Sequence, residues 1–207
     1  CVINGDILEM ATKNSIGNTY EALRPKEQKE LAIKYLKPLA EAGKILAYLD
    51  GNHEWRVAKD TDEYPGEYIC SMMGIPSVYD PDGIILFLNV GWDRKKGEKN
   101  RITYTAFMLH GWTGARRVGG KANNLEDMAK IVHSDIYIAS HTHQKFAFSR
   151  RIIVPEARSK SLRYKKQLFV SAGSFLEYSG YAVRKGYNPA TLGSPRLRLD
   201  GTRHDAH

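Results

Sequence analysis

Cysteine is almost missing from this chain: the 207 residues hold two, Cys1 and Cys70, and no CxxC spacing. Two cysteines make no disulfide framework, so a reducing, cytoplasmic setting is expected. Long apolar runs are missing too. None approaches the roughly 18 residues needed to span a bilayer, which leaves no membrane-spanning role. No basic stretch followed by an apolar run opens the chain, so no secretory signal is expected. There are no internal repeats, and no composition shift marks a second domain. Acid is in short supply: 31 Lys and Arg stand against 23 Asp and Glu, a net charge of +8. That balance points to a negatively charged partner, nucleic acid or another phosphate compound, or else to a solvated lysine-rich surface.

What is present is enough for a substantial core, since 42% of the residues are hydrophobic. The organising stretch is Gly51-Asn52-His53-Glu54, which follows the apolar run Ile45-Leu46-Ala47-Tyr48-Leu49-Asp50. A short apolar run that stops at Gly-Asn reads as a buried strand delivering polar side chains to a loop at its end, where α/β proteins place their chemistry. Three further runs end alike: Val2-Ile3-Asn4-Gly5 at Asp6, Tyr104 to Leu109 at His110, and Ile136 to Ser140 at His141-Thr142-His143.

Between the first two strands, residues 20–42 carry a helical pattern. Leu31, Tyr35 and Leu39 lie on one face with Ala32, Leu36 and Ala40 beside it. Pro25 suits the first turn, whereas Pro38 should kink or restart the helix. The resulting β-α-β unit sets Asp6 and Asn52 side by side at parallel strand ends. Trp55-Arg56-Val57 opens a short helix and Glu67 to Met73 forms another, broken by Gly74-Ile75-Pro76. Residues 84–90 and 102–109 read as strands around a polar connection from Asp93 to Arg101. A glycine-rich loop (Gly111, Gly114, Gly119, Gly120) follows His110, and Asn123 with Glu126 resembles a capping box for a helix to about Val132. Residues 146–154 and 168–172 read as antiparallel strands joined by the basic segment Arg158, Lys160, Arg163, Lys165, Lys166. From about Gly186 the chain reads as an extended or mobile basic tail over 186–207, after one domain over 1–185.

Asp6, Asn52, His110, His141 and His143 make a mixed oxygen and nitrogen ligand set, suited to Mn, Fe, Zn, Co or Ni. His-Thr-His puts alternate side chains on one side of an extended segment, so each can face a different neighbour. Any one histidine is more often a packed or surface residue than a ligand; three at strand ends, with Asp and Asn at two others, argue for metal.

Gly5-Asp6, Gly51-Asn52-His53-Glu54, His110-Gly111 and His141-Thr142-His143 match, in order, the signature of the calcineurin-like metallophosphoesterases. The resemblance covers residues 2–175. It implies a four-layer α/β/β/α sandwich of mixed sheets and a centre of two divalent metal ions at the strand ends, manganese foremost, hydrolysing phosphate mono- or diesters. By position, Asp6 would bridge the metals, Asn52, His110 and His141 would complete one metal's ligands, and His143 would bind the other. His53 would meet the substrate phosphate and protonate the leaving oxygen, with Glu9 orienting it where the commoner residue is Asp. The chemistry fits: two cations about 3.5–4 Å apart lower the pKa of a shared water, whose hydroxide attacks phosphorus in line, and histidine titrates in the range a leaving alkoxide needs.

Two positions depart from the pattern. The family's first motif, Asp-x-His, is not found before Asp6, so the domain is expected to be N-terminally incomplete, unless Asp93 or a partner chain substitutes. Ser140 stands where glycine is usual, which is harmless if the backbone there has negative φ. Substrate recognition falls to Asn52, Arg56, Trp112, Arg116 and Arg117, with Lys121 nearby, because arginine forks match phosphate oxygens and a tryptophan face can stack on a base. The competing view for the arginines is solvation, and for Trp112 core packing. His133 answers a helix dipole, His204 and His207 carry no functional reading, and Tyr178 and Tyr181 are assigned to packing. The expected activity is thus metal-dependent phosphoester hydrolysis, with phosphodiesters, DNA or RNA favoured. The competing expectations are a nucleic-acid-binding module with an incomplete, inactive metal site, and a purely structural metal.

Overall fold

Val2-Ile3-Asn4 and Ala47-Tyr48-Leu49 pair as parallel strands β1 (Val2–Asn4) and β2 (Ala47–Leu49), in a register that sets Asn4 opposite Leu49. The two chain segments beyond these strands, Gly5-Asp6 and Asp50-Gly51-Asn52, therefore leave the sheet together, as the β-α-β reading expects. Residues 1–12, 15, 23–91, 101–178, 183, 186 and 188–206 are described by this computed structural model. The chain is mixed α/β, with a three-stranded and a five-stranded sheet and four α-helices among the described residues. It divides into two compact units.

The first unit comprises Cys1–Ile84, Leu109–Trp112 and Ser179–Gly186. Helix α1 (Pro25–Glu41) joins β1 to β2, with Pro25 in its first turn as its fixed φ favours. The helix continues through Pro38 and does not restart there. Pro38 lies in the last turn, where its missing N–H forfeits only one bond near an end that frays anyway. The face that packs inward carries Ala32, Leu36 and Ala40, while Leu31, Tyr35 and Leu39 remain exposed. The expected start near Tyr20 lies outside the described residues. After β2 comes α2 (Asn52–Thr61), which begins at Asn52 itself rather than at Trp55. Then follow α3 (Pro65–Met72) and the two-residue strand β3 (Tyr79–Asp80), parallel to β2. Leu8, Met10, Ala32, Ala40, Ile45, Tyr48, Ile69, Cys70 and Met73 fill this unit's core.

The second unit comprises Ile85–Met108, Thr113–Tyr178 and Tyr187–His207. Its sheet is built of β4 (Ile84–Val90), β5 (Ile102–Met108), β6 (Ile136–Ala139), β7 (Phe146–Glu156) and β8 (Ser161–Ser171), in the order β4-β5-β6-β8-β7. Strands β5, β6 and β8 run parallel, and β7 is antiparallel to β8. Arg163, Lys165 and Lys166, expected in a connection, are residues of β8. Tyr137, Phe169 and Phe148 form a run of stacked rings at 4.7 and 4.9 Å in its core.

Helix α4 (Val118–Ile131) starts at Val118, several residues before the expected cap at Asn123. Gly119 and Gly120 are therefore helical, and Asn124 turns its amide back to the Gly120 carbonyl at 2.8 Å. From 188 to 206 no helix or long strand forms, but the segment is tied to the sheet. The Tyr104 hydroxyl sits 2.8 Å from the Asp200 carbonyl and accepts the Asp205 N–H at 2.8 Å, Ala206 is buried, and His204 stacks on Tyr104 at 4.5 Å. His204 also faces the Asp135 carboxylate at 3.4 Å, so it helps to tie this segment to the sheet. Asp93, most of the polar connection around it, Tyr181 and His207 lie outside the described residues. Among the described residues no helix is long and apolar enough to cross a membrane.

Candidate metal centre

The centre of the first unit depends on two glycines that let strand ends touch. Gly5 (φ +80°) and Asp6 (φ +54°) turn the chain sharply after β1. A Cβ on Gly5 would lie 2.6 Å from the Gly51 Cα and closer still to the His110 ring, so no side chain fits there. Asp6, a non-glycine residue in the left-handed region, is held by what surrounds it. Its N–H is bonded by Glu54 Oε2 at 3.0 Å, and its own Oδ1 accepts the His53 N–H at 3.0 Å.

Glu54, the last residue of the Gly51-Asn52-His53-Glu54 stretch, is 1% exposed. Its two oxygens accept three backbone N–H groups, from Gly51 at 2.9 Å, Asp6 at 3.0 Å and Leu8 at 2.8 Å. One buried carboxylate thereby caps the start of α2 and clamps the turn that carries Asp6. The signal was legible: an acidic residue at the third position of a helix opened by glycine is a cap that reaches back.

His110 follows β5 and belongs to the first unit. Its Nδ1 lies 2.8 Å from the Asn4 carbonyl, which can only accept, so the Nδ1–H donates. Nε2 therefore points its other valence at two oxygens, Asn52 Oδ1 at 3.1 Å and Asp6 Oδ2 at 3.2 Å. A neutral ring would aim a lone pair at two acceptors. Either a proton or a cation must stand there. Burial alone would push the imidazole down, but the Asp6 carboxylate outweighs it and holds the ring above its ordinary pKa. Burial likewise raises the Asp6 carboxyl, yet its bond to His110 and the charges of His110 and His53 bring it down to about 2. Carboxylate, amide oxygen and imidazole nitrogen are donor types that suit a divalent transition-metal ion, and a backbone-anchored Nδ1–H is the usual second partner of a ligating histidine. Asp6, Asn52 and His110 fit one divalent ion, and the second ion that the sequence resemblance implies has no donor set of its own among the described residues of this unit.

His53, on the first turn of α2, turns its Nδ1 to Glu9 Oε2 at 3.1 Å. That contact pulls the Glu9 carboxyl below its usual value against the opposing effect of burial. Arg56 is spent on Glu9 as well: its guanidinium donates to the Glu9 carbonyl at 3.2 Å and to Oε1 at 3.4 Å. Arg56, expected to meet substrate, thus supports the residue that orients His53. Trp112 is exposed, which removes the core-packing alternative.

In the second unit, His141 and His143 follow β6, but the segment is not extended as expected. Both have positive φ, +60° and +56°, and the Thr142 N–H closes a tight turn on the Ser140 carbonyl at 2.6 Å. Ser140 is not among the positive-φ residues, so its departure from glycine is harmless, as expected. Lys121 is buried and donates to the Thr142 carbonyl at 3.0 Å, so it supports this turn instead of reaching for substrate. The Thr142 and Ser171 hydroxyls meet at 3.1 Å on the turn's other side. Arg116 and Arg117 are exposed just before α4.

Asp50, at the end of β2, has a proton of its own to account for. Burial pushes its carboxyl from 3.8 up to about 7, against a 2.8 Å hydrogen bond from the Tyr79 hydroxyl and reinforced by the charge of Glu54. A folded-state value above the unfolded one means that the native chain holds a proton the unfolded chain releases between pH 4 and 7. Stability is lost as pH rises through that window. Asp50→Asn is expected to stabilise the chain by roughly 2–4 kcal/mol at pH 8 and by little at pH 4.5, measured by urea unfolding with EDTA present. Equal effects at both pH values would contradict it.

Compared with protein-family models, with curated proteins and with solved structures, the chain matches none.

Proposed function

We propose that this chain is a metal-dependent phosphoesterase of the calcineurin-like type, acting on phosphodiesters or nucleic acid in preference to small monoesters. Its fold would be the four-layer sandwich that the sequence resemblance implies. The observation that carries the reading is the His110 ring, whose Nε2 faces two oxygens while its Nδ1–H is committed to a carbonyl. Asp6, Asn52 and His110 would hold the metal, joined by the His141 and His143 that the ordered motif adds. Bound divalent cations, manganese foremost, would supply charge neutralisation at phosphate and a water of lowered pKa.

The chain's own residues do the rest. Glu54 and the Asn4 carbonyl fix Asp6 and His110, so the donors need not reorganise. Glu9, itself gripped by Arg56, accepts the Nδ1–H of His53 and so presents Nε2, the nitrogen that would give a proton to the departing oxygen.

The test is Mn²⁺-dependent hydrolysis of bis-(p-nitrophenyl) phosphate with the monoester alongside. Turnover that EDTA abolishes is expected, faster on the diester. His53→Ala is expected to lower kcat by about 10²–10⁴-fold on an alkyl or nucleotide diester, with Mn²⁺ content unchanged. The loss should shrink on p-nitrophenyl esters, whose leaving group needs no proton. An equal loss on both would remove His53 as the acid. Chelator-insensitive nucleic-acid binding without any turnover would move the reading to a binding module.

A further inference from the structure

The strand pair β7–β8 is longer than the sheet it belongs to. Leu168 to Ser171 of β8 pair with β6 on one side and with β7 on the other, whereas Ser161 to Gln167 pair with β7 alone. Arg151↔Lys166, Ile152↔Lys165, Ile153↔Tyr164, Val154↔Arg163, Pro155↔Leu162 and Glu156↔Ser161 therefore form a two-stranded ribbon, closed by a turn over residues 157–160. Six paired positions at about 3.3 Å per residue make an arm of roughly 20 Å.

This arm concentrates the charge of the chain. Residues 150–166 contain seven Lys or Arg and a single Glu, while the entire chain has a net charge of +8. Arg163 pairs with Glu156, Lys166 with Asp205 and Arg150 with Glu126. Arg151, Arg158, Lys160 and Lys165 pair with no acid among the described residues. One face of the arm also exposes Ile153, Leu162 and Tyr164, each more than half accessible. A free two-stranded ribbon is marginal in water, and an exposed apolar face on it calls for a partner.

We infer that the β7–β8 ribbon is a docking arm for duplex DNA, inserted into the major groove. The groove is about 12 Å wide and admits a two-stranded ribbon, whereas the major groove of an RNA duplex is too deep and narrow. The cations are distributed to suit it. Arg151 and Lys166 lie on the face of Tyr164, Arg163 and Lys165 lie on the opposite face, and Arg158 and Lys160 sit at the tip. A groove presents phosphates to both sides of an inserted ribbon, while a flat anionic membrane would meet only one. A second copy of the arm would bring like charge against like. The inference stands on the ribbon alone and needs no turnover.

The test is fluorescence anisotropy of a labelled 20-base-pair DNA duplex titrated with the full chain, in EDTA, from 50 to 200 mM salt. Binding is expected, with log K falling linearly against log salt. Substituting Arg151, Arg158, Lys160 and Lys165 together by Gln should weaken it by at least about 100-fold at 50 mM salt and flatten the slope by about 3–4. Arg158→Gln and Lys160→Gln singly, at a turn where folding is not at stake, should each flatten it by about one. A control removing four lysines of the α1 region, Lys26, Lys34, Lys37 and Lys44, should change the affinity less than threefold. Wild-type binding by the ribbon variant would overturn the inference. So would an equal loss in the control, or binding to phosphatidylserine vesicles or single strands in preference to the duplex.

Discussion

Glu54→Ala is expected to lower the melting temperature by roughly 10 °C and to abolish Mn²⁺ binding at the Asp6 centre. The substitution removes no exposed charge. It leaves three N–H groups, of Gly51, Asp6 and Leu8, facing a place where an oxygen used to be. A buried donor without a partner costs about 1–3 kcal/mol, and partial relaxation of the turn brings the sum to roughly 3–5 kcal/mol. In a chain of this size each kcal/mol moves Tm by about 2–4 °C. Glutamine does not rescue the site. One carboxylate oxygen serves Leu8 and the other serves Gly51 and Asp6, so either orientation of the amide puts an NH₂ group against an N–H. Glu54→Gln should therefore fall between wild type and Ala in stability. Calorimetric melts of the three proteins, with Mn²⁺ titrations, check this; a glutamine variant equal to wild type would show that Glu54 does not clamp the turn.

Much of this arrangement could be read from residues in order. The apolar runs ending in Asp, Asn or His gave β1, β2, β5 and β6 with their boundaries nearly right, because short buried strands carry their own signal in the abrupt switch from apolar to polar. That Asp6 and Asn52 would meet followed from one β-α-β unit. The same reading missed what depends on tertiary contact. The left-handed turn through His141-Thr142-His143 is held by Lys121 and Ser171, far away in sequence, and local spacing alone suggested an extended segment. Helix α4 overrode two glycines that read as loop, since Leu125 and Met128 are buried and packing repays what glycine loses. Arg56 looked like a phosphate ligand by position, and only the folded chain shows Glu9 in front of it. The ribbon's basic residues were visible as a run, but that they lie on a strand pair outrunning its sheet is a matter of register.

Gly51→Ala should be as damaging as loss of a ligand, though it alters no functional group. At φ −106° and ψ −174° Gly51 sits in extended backbone that any residue adopts, so the glycine is required by space alone. An alanine Cβ would stand 2.8 Å from His110 Cε1 and nearer still to the Asp6 N and Oδ1. A flexible side chain could yield, but the Asp6 backbone is pinned by Glu54 and cannot retreat without breaking that bond. The outcome is that β1 and β2 part at their ends or α2 shifts, and either separates Asp6 from His110 and Asn52. Overpacking of this kind costs about 1–3 kcal/mol in stability, and a displacement near 1 Å at a reacting centre costs on the order of 100-fold in rate. Gly119→Ala, where a Cβ meets nothing within 4 Å, is the matched control and should leave both readouts unchanged or slightly raise Tm. Mn²⁺ affinity and diester turnover of the two variants decide the matter. If Gly51→Ala keeps wild-type values for both, the strand ends are not in the close contact from which the whole centre is built, and the assignment of Asp6, Asn52 and His110 to one metal falls with it.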